Sequence, residues 1–463
     1  MTINQSTAGS DAPRGTNASH LSSRDLGALL DGLPLNKRHW TVFIVCAIAF
    51  MFDSLDFQVL ALIAPSLAKE WGLKPQVLGY LFSATAFGML LGTYTFGILS
   101  DRFGRRPAFQ ITIAIFALSS GACAFAQDPT QLAILRFLTG IGIGGFIPVD
   151  TAVMSEYMPT KKRGRMIGLM AIFFPVGGLA AAWLASLIIP TWGWRALFLV
   201  GVIPAIMILV VRYAIPETPR FLISRGKLDQ ARKSIGWIAM GSLQQQLSGT
   251  IIASLEKPSA HFSVLELFRA PYLQRTILTW AIWFFWSFSY FGIILWMPTL
   301  LVQFKGVSPV QVFGFIAGFM ISGIAGRIVV AMVVDQIGRK PILIGCGFFA
   351  AIFMLMFGQQ TTFTGLLIFG YLTAFFHDGG FGAIAPYTPE LYPTRARATG
   401  VGWANGAGRI ASILSPIAVG YLVSGGLQMV FLSFAASYAL CAVVMLLIGV
   451  ETKGLGLEEA ALE

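Results

Sequence analysis

Two carboxylates, Asp53 and Asp56, stand in the segment FDSLD in the middle of a run that is otherwise apolar. At i and i+3 on a helix they share a face, and two neighbouring carboxylates do not both ionise readily. Such a pair is suited to taking up and releasing a proton. Arg136, alone in another apolar run, is the natural counter-charge; the competing reading is a permanent ion pair that only holds helices together. His377 and Asp378 in FFHDGG form a second buried group, and an ordinary histidine pKa of about 6.5 suits proton or carboxylate recognition. Asn405 and Arg409 lie at i and i+4. The planar donor fork of Arg409 could grip a carboxylate or pair with Asp378. Trp283, Ser287 and Tyr290 recur at helical spacing, forming a stripe that either packs against neighbours or stacks on a planar ligand. Arg327 and Asp150 read as gate or latch residues nearer the cytoplasmic side.

These groups sit in a chain of 463 residues that is 56% hydrophobic and only 11% charged, with mean hydropathy +0.73. Soluble domains carry about 25% charged residues, so most of this chain is built for lipid. Apolar runs long enough to span a bilayer fall at about 40–62, 77–99, 108–127, 131–154, 166–189, 194–215, 274–302, 310–334, 341–358, 364–388, 399–421 and 427–450. Only helices satisfy every backbone group inside such runs. The expected class is therefore an all-α membrane protein of twelve transmembrane helices. Cys46, Cys123, Cys346 and Cys441 all lie in apolar segments without metal-ligand spacing and read as reduced packing residues.

Charge placement sets the expected topology. Lys69, Lys74 and Lys305 fall in loops on one side with Arg195 at a span end beside them, and Arg136, Arg327 and Arg409 fall deep within spans. Every other Lys and Arg lies on the tails and loops of the opposite side or, as Arg212 and Arg275, at the span ends that border them, and that side is then cytoplasmic together with both termini. The net charge of +11 is explained by this asymmetry and not by nucleic-acid binding. The polar first 38 residues precede a full-length span and are not expected to be a signal peptide.

The chain also repeats itself. Asp101, Gly104, Arg105, Arg106 and Pro107 recur 234 residues later as Asp335, Gly338, Arg339, Lys340 and Pro341. At the same offset Glu156, Pro159, Thr160, Arg163 and Gly168 recur as Glu390, Pro393, Thr394, Arg397 and Gly402. Duplicated six-span halves follow. The expected division is a cytoplasmic tail 1–38, a first bundle 39–215, a cytoplasmic linker with a short helix 216–272, a second bundle 273–450 and a tail 451–463.

The loop GILSDRFGRRP, with Arg102 in its centre, and its partner VVDQIGRKP resemble the cytoplasmic signature of the major facilitator superfamily; Gln336 stands where the pattern has Arg. RFLTGIGIGG, FFPVGGLAAAW, SEYMPTKKRGR, ELYPTRARATG and PETPRFL extend the resemblance over most of the chain. It implies two six-helix bundles that rock about a midplane substrate site lined by spans 1, 4, 7 and 10. It also implies a latch in which the loop Asp pairs with basic residues when the inner side is closed. Asp101, Arg102, Gly104, Arg105, Arg106, Glu156, Arg163, Asp335, Arg339, Glu390 and Arg397 are the latch candidates. Sugar-porter-like relatives couple protons with an Asp in span 1 and an Arg in span 4, which maps the role onto Asp53 or Asp56 with Arg136. DSLD is similar to the Asp-Gly-x-Asp motif of aromatic-acid:proton symporters, with Ser54 in place of Gly.

The leading expectation is a proton-coupled importer of a small organic acid, an aromatic carboxylate or a ring-cleavage product. His377, Asp378, Arg409, Asn405, Trp283, Ser287 and Tyr290 are its candidate substrate contacts. A sugar or other metabolite symporter and a drug-efflux antiporter are the alternatives, although spans 5, 7 and 8 are poor in the Gln and Asn that sugar porters use. No phosphate loop, nucleophile elbow or metal set appears, so neither an enzyme nor an ATP-driven pump is expected. No cofactor is expected. The expected partners are a small organic anion, a proton and the lipid of an inner membrane, with the chain acting as a monomer.

Overall fold

The computed structural model describes residues 20–21, 33–240, 251–252, 264–270 and 272–453. Most of the expected N-terminal tail, much of the linker and the end of the C-terminal tail lie outside these residues. Helices dominate, and beside them a two-residue parallel pairing joins His20–Leu21 to Ile251–Ile252.

The first half runs through α1 Lys37–Trp71, α2 Pro75–Phe103, α3 Arg105–Cys123, α4 Pro129–Tyr157, α5 Thr160–Ala171, α6 Phe173–Val200 and α7 Ala205–Ala214. Two short helices follow in the region read as linker, α8 Pro219–Ser224 and α9 Leu228–Ile238. The second half contains α10 Leu273–Thr299, α11 Pro309–Ile337, α12 Arg339–Gln359, α13 Phe363–Glu390, α14 Thr394–Leu422 and α15 Leu427–Ile448. Local chemistry sets several starts. The Asn36 side chain accepts from the amides of Arg38 and His39, and Asp128 does the same for Thr130 and Gln131 ahead of α4, satisfying amides that a helix leaves unpaired.

Among the described residues, nine helical segments are long and apolar enough to cross a membrane. That count differs from the expected twelve for physical reasons. Expected spans 5 and 6 run together in Lys162–Ala214; Gly193, at φ 77°, breaks the helix between them. The helices carrying expected spans 3 and 10, α3 and α13, fall outside the nine.

Small residues bring helix backbones together within each half. A Cβ on Gly140 would meet the Thr85 carbonyl, and one on Gly144 would meet the backbone of Met89, so α2 and α4 cross in direct contact. Gly326 plays the same part against the Phe375 carbonyl where α11 meets α13.

Contacts between the halves gather at one end. Gln76 donates to Ser424 at 2.8 Å, the hydroxyls of Tyr80 and Tyr421 are 2.7 Å apart, and Ser83 donates to the Ile413 carbonyl at 2.7 Å. Gly79 and Gly420 let α2 and α14 touch there, against the backbone of Pro416 and Pro75. The edge-on ring pairs Phe57–Phe291 and Phe82–Trp296 continue the seam inward. This end is opposite the loops that carry Asp101 and Asp335.

Candidate transport site

Between the halves lies a cavity of about 300 Å³. Its walls are mostly aromatic: Phe50 and Phe57 on α1, Phe174 on α6, Trp283, Tyr290 and Phe291 on α10, and Phe381 on α13. Met89, Ile143, Ile147 and Ala171 add apolar surface. The polar atoms are few. They come from Asp53 on α1, Ser287 on α10, Arg327 on α11, and Asn405 and Arg409 on α14. Trp283, Ser287 and Tyr290 therefore share a cavity-facing stripe, and Asn405 and Arg409 share a second.

The two span-1 carboxylates have separate surroundings, unlike the shared face expected of them. Asp56 turns away from the cavity into the first bundle. There the Arg136 guanidinium donates to it at 3.0 Å, with both side chains at 0% exposure. Ser120 also donates to Asp56. Arg136 reaches the Asp56 carbonyl and the Thr85 hydroxyl at 3.4 Å, and its Cζ lies 5.7 Å from the Phe198 ring centroid. Such an enclosed, fully bonded pair is costly to open, because removing either charge strands the other. Asp53 is also buried, yet neither carboxylate oxygen has a hydrogen-bond partner. The positive charge that acts on it is Arg409 across the cavity, not Arg136. No described residue bonds or pairs with the Arg409 guanidinium.

The second expected cluster also separates. His377 is behind the cavity wall, stacked on Tyr290 with ring centroids 4.9 Å apart and on Trp286 at 5.7 Å. Its Nδ1 is 2.8 Å from the Tyr438 hydroxyl. It braces Tyr290 and does not line the cavity. Asp378 does not pair with Arg409. Its partner is Arg327, with Nη2 at 2.6 Å and Nε at 2.8 Å from Oδ1. Arg327, read from sequence as a gate or latch residue, lines the cavity, because the close crossing of α11 and α13 sets it opposite Asp378. Asp150 is enclosed beside the thiol of Cys46.

The latch candidates form two matching networks, each inside one half. Arg105 binds both Asp101 and Glu156, the latter at 3.0 Å. Arg339 binds Asp335 at 2.8 Å and Glu390 at 3.1 Å. Asp101 and Asp335 remain 72% and 77% exposed. Arg163 donates to the Met158 carbonyl and Arg397 to those of Pro389 and Tyr392, closing the C-terminal ends of α4 and α13. Arg106 donates to the Arg212 carbonyl, and the carbonyl of Arg102 accepts from Arg225.

One pair of residues in these networks escaped the sequence reading. Glu217 accepts from the amides of Arg105 and Arg106 at the start of α3, and Glu451 accepts from those of Arg339 and Lys340 at the start of α12. Burial raises the Glu217 carboxyl above its ordinary value, against the pull of its amide donors. Gly104 and Gly338, at φ 114° and 111°, turn the chain there, and a Cβ on either would strike the capping carboxylate. Glu217 and Glu451 are also 234 residues apart, so the offset already used for the other motifs was the signal that could have found them.

The family model for sugar (and other) transporters matches residues 38–463. The niacin transporter NiaP of Acinetobacter baylyi is 37% identical over 440 residues, covering 95% of this chain and 100% of that protein. The 4-hydroxybenzoate transporter PcaK of the same species is 32% identical, covering 86% of this chain and 87% of that protein. Among solved structures, the inward-open xylose transporter XylE of E. coli superposes with a TM-score of 0.74 at 19% identity, over 91% of this chain and 99% of that one. The glycine-seamed halves, the central cavity and these matches agree: the chain belongs to the sugar (and other) transporter family and has the major-facilitator fold.

Proposed function

We propose that this chain is a proton-coupled symporter importing a small aromatic carboxylate by alternating access. One observation carries the reading: among the described residues the buried carboxylate of Asp53 has no hydrogen bond and the guanidinium of Arg409 no partner, and both line a cavity walled by aromatic rings. Rings of the cargo would stack on Trp283, Tyr290 and Phe381, and its carboxylate would take the bidentate fork of Arg409. The similarity to carriers named for niacin and 4-hydroxybenzoate supports this cargo class.

Coupling follows from competition for one cation. With Asp53 ionised, Arg409 is drawn toward it. A proton from outside neutralises Asp53 and frees Arg409 for the substrate anion. Loss of that proton inside restores the rival carboxylate and weakens the hold on the cargo. Anion and proton thus cross together with no net charge left buried. In this reading the chain crosses an inner membrane twelve times as a monomer, with both termini and the linker cytoplasmic. The seam of Tyr80 and Tyr421 then lies on the outer side, and the conformation faces inward.

Uptake of labelled nicotinate, benzoate and protocatechuate into proteoliposomes, with and without an inward proton gradient, tests it. At least one acid should accumulate, and only with the gradient. Uptake of none of them, or accumulation indifferent to the gradient, would overturn the proposal.

A further inference from the structure

The two halves repeat one another closely where α2 crosses α4 and where α11 crosses α13, which makes their differences informative. Gly92 meets the Ile141 carbonyl in the first half, and Gly326 meets the Phe375 carbonyl in the second. Both correspondences follow the 234-residue offset of the motifs. Within this shared frame Thr93 donates its hydroxyl to the Gly144 carbonyl at 2.9 Å. The corresponding positions in the second half hold Arg327 and Asp378, joined by the ion pair described above. The glycines differ in the same way: a Cβ on Gly144 would meet Met89, while one on Gly323 would meet the Asp378 carboxylate. A neutral bond in one half is thus a full pair of charges in the other. The crossing itself does not require charge, since the first half is built without it.

What the pair adds is at the cavity. Arg327 contributes to its wall, and its Cζ lies 5.4 Å from the Phe381 ring centroid. Asp378 sits behind it, its side chain 12% exposed against 28% for Arg327. Two cations and two acids thus stand at the cavity wall or directly behind it: Arg409 and Arg327, Asp53 and Asp378. When Asp53 holds its proton, one cation is uncompensated, and a single cargo carboxylate neutralises it. A second carboxylate would find Arg327 already paired and would remain a buried, unbalanced charge.

Building on the aromatic-acid reading above, we propose that Asp378 restricts the cargo to one negative charge by occupying Arg327. The carrier selects monocarboxylates over dicarboxylates of the same ring. Discrimination of this kind works by denying the wrong ligand a partner and not by adding contacts to the right one.

The test uses nicotinate and pyridine-3,5-dicarboxylate, which differ by one carboxylate, in proteoliposomes of the full chain. Wild type should take up nicotinate and neither transport the dicarboxylate nor be inhibited by it at equal concentration. Asp378→Asn should raise the ratio of dicarboxylate to nicotinate uptake by about tenfold or more, and Asp378→Glu should leave that ratio low. The double variant Arg327→Gln/Asp378→Asn should return it to the wild-type level, because the charge count is restored although the ion pair is gone. A purely structural role would not follow charge in this way. Comparable use of both acids by wild type overturns the proposal even if no variant folds, as does a ratio unmoved by Asp378→Asn in folded protein. Failure of wild type to carry any aromatic acid removes the aromatic-acid reading itself, and the charge rule with it.

Discussion

Asp53 and Asp56 are three residues apart and have opposite fates. Asp56 is locked to Arg136 and Ser120 away from the cavity, whereas Asp53 has no hydrogen bond among the described residues and faces the rings of the cavity. A carboxylate that must change protonation in each cycle needs the second environment, since a fixed guanidinium would hold it ionised. Asp53→Asn should therefore abolish gradient-driven accumulation while preserving exchange of labelled for unlabelled substrate across the membrane. Asp56→Asn should act on the fold instead, leaving Arg136 buried without its partner and costing about 3–5 kcal/mol, read as loss of folded protein in detergent. If Asp53→Asn still accumulates substrate, the proton site lies elsewhere. Arg409→Gln should raise the substrate KM about tenfold or more, from the loss of a charged hydrogen bond. Arg409→Lys should recover only part of the affinity, because an ammonium lacks the planar fork; full recovery would argue against bidentate binding.

At the scale of helices, the crossing of α2 and α4 depends on having no side chain at Gly144. Gly144→Leu should force the two backbones apart and cost at least about 1–3 kcal/mol, seen as a lower melting temperature in detergent together with lost uptake. An unchanged melting temperature would mean that α2 and α4 cross elsewhere. The sequence made this seam legible, because the small residues of RFLTGIGIGG recur at helical spacing. It also made legible the individual charges in apolar runs, and Asp53, Asn405, Arg409 and the stripe of Trp283, Ser287 and Tyr290 do meet at one cavity. Their partners were legible only in part: Arg136 was read as the counter-charge of the span-1 carboxylates, and it binds Asp56. Spacing along one helix fixes which residues share a face, but which of the two acids meets Arg136, and the pairing of Arg327 with Asp378, depend on how two helices cross and rotate. His377 illustrates the same limit: its neighbours Trp286, Tyr290 and Tyr438 come from α10 and α15, and only their packing places it behind the wall.

For the whole molecule, the asymmetry between its two ends defines a state. The hydrogen bonds joining described residues of the two halves lie at the Gln76, Tyr80 and Ser83 end. At the other end the Arg105 and Arg339 networks close on their own halves, with Asp101 and Asp335 left exposed. On the proposed orientation, a carrier in this arrangement has used its outer contacts and holds its inner acidic residues available for the reverse arrangement. Opening at the Gln76 end must then break the bonds of Gln76 with Ser424 and Tyr80 with Tyr421. Cysteines at positions 76 and 424, joined by a short reducible thiol cross-linker, should hold that end shut. Cys46, Cys123, Cys346 and Cys441 are all buried, so the reagent has few competing targets. The linked protein should lose uptake and regain it on reduction, while substrate supplied from the side of the Asp101 loop should still bind, detected by protection of Trp283 fluorescence from an aqueous quencher. Uptake that continues through the intact cross-link would mean that this seam does not open during transport, and a rocking movement of the halves about the Asp53–Arg409 cavity would then have to be abandoned.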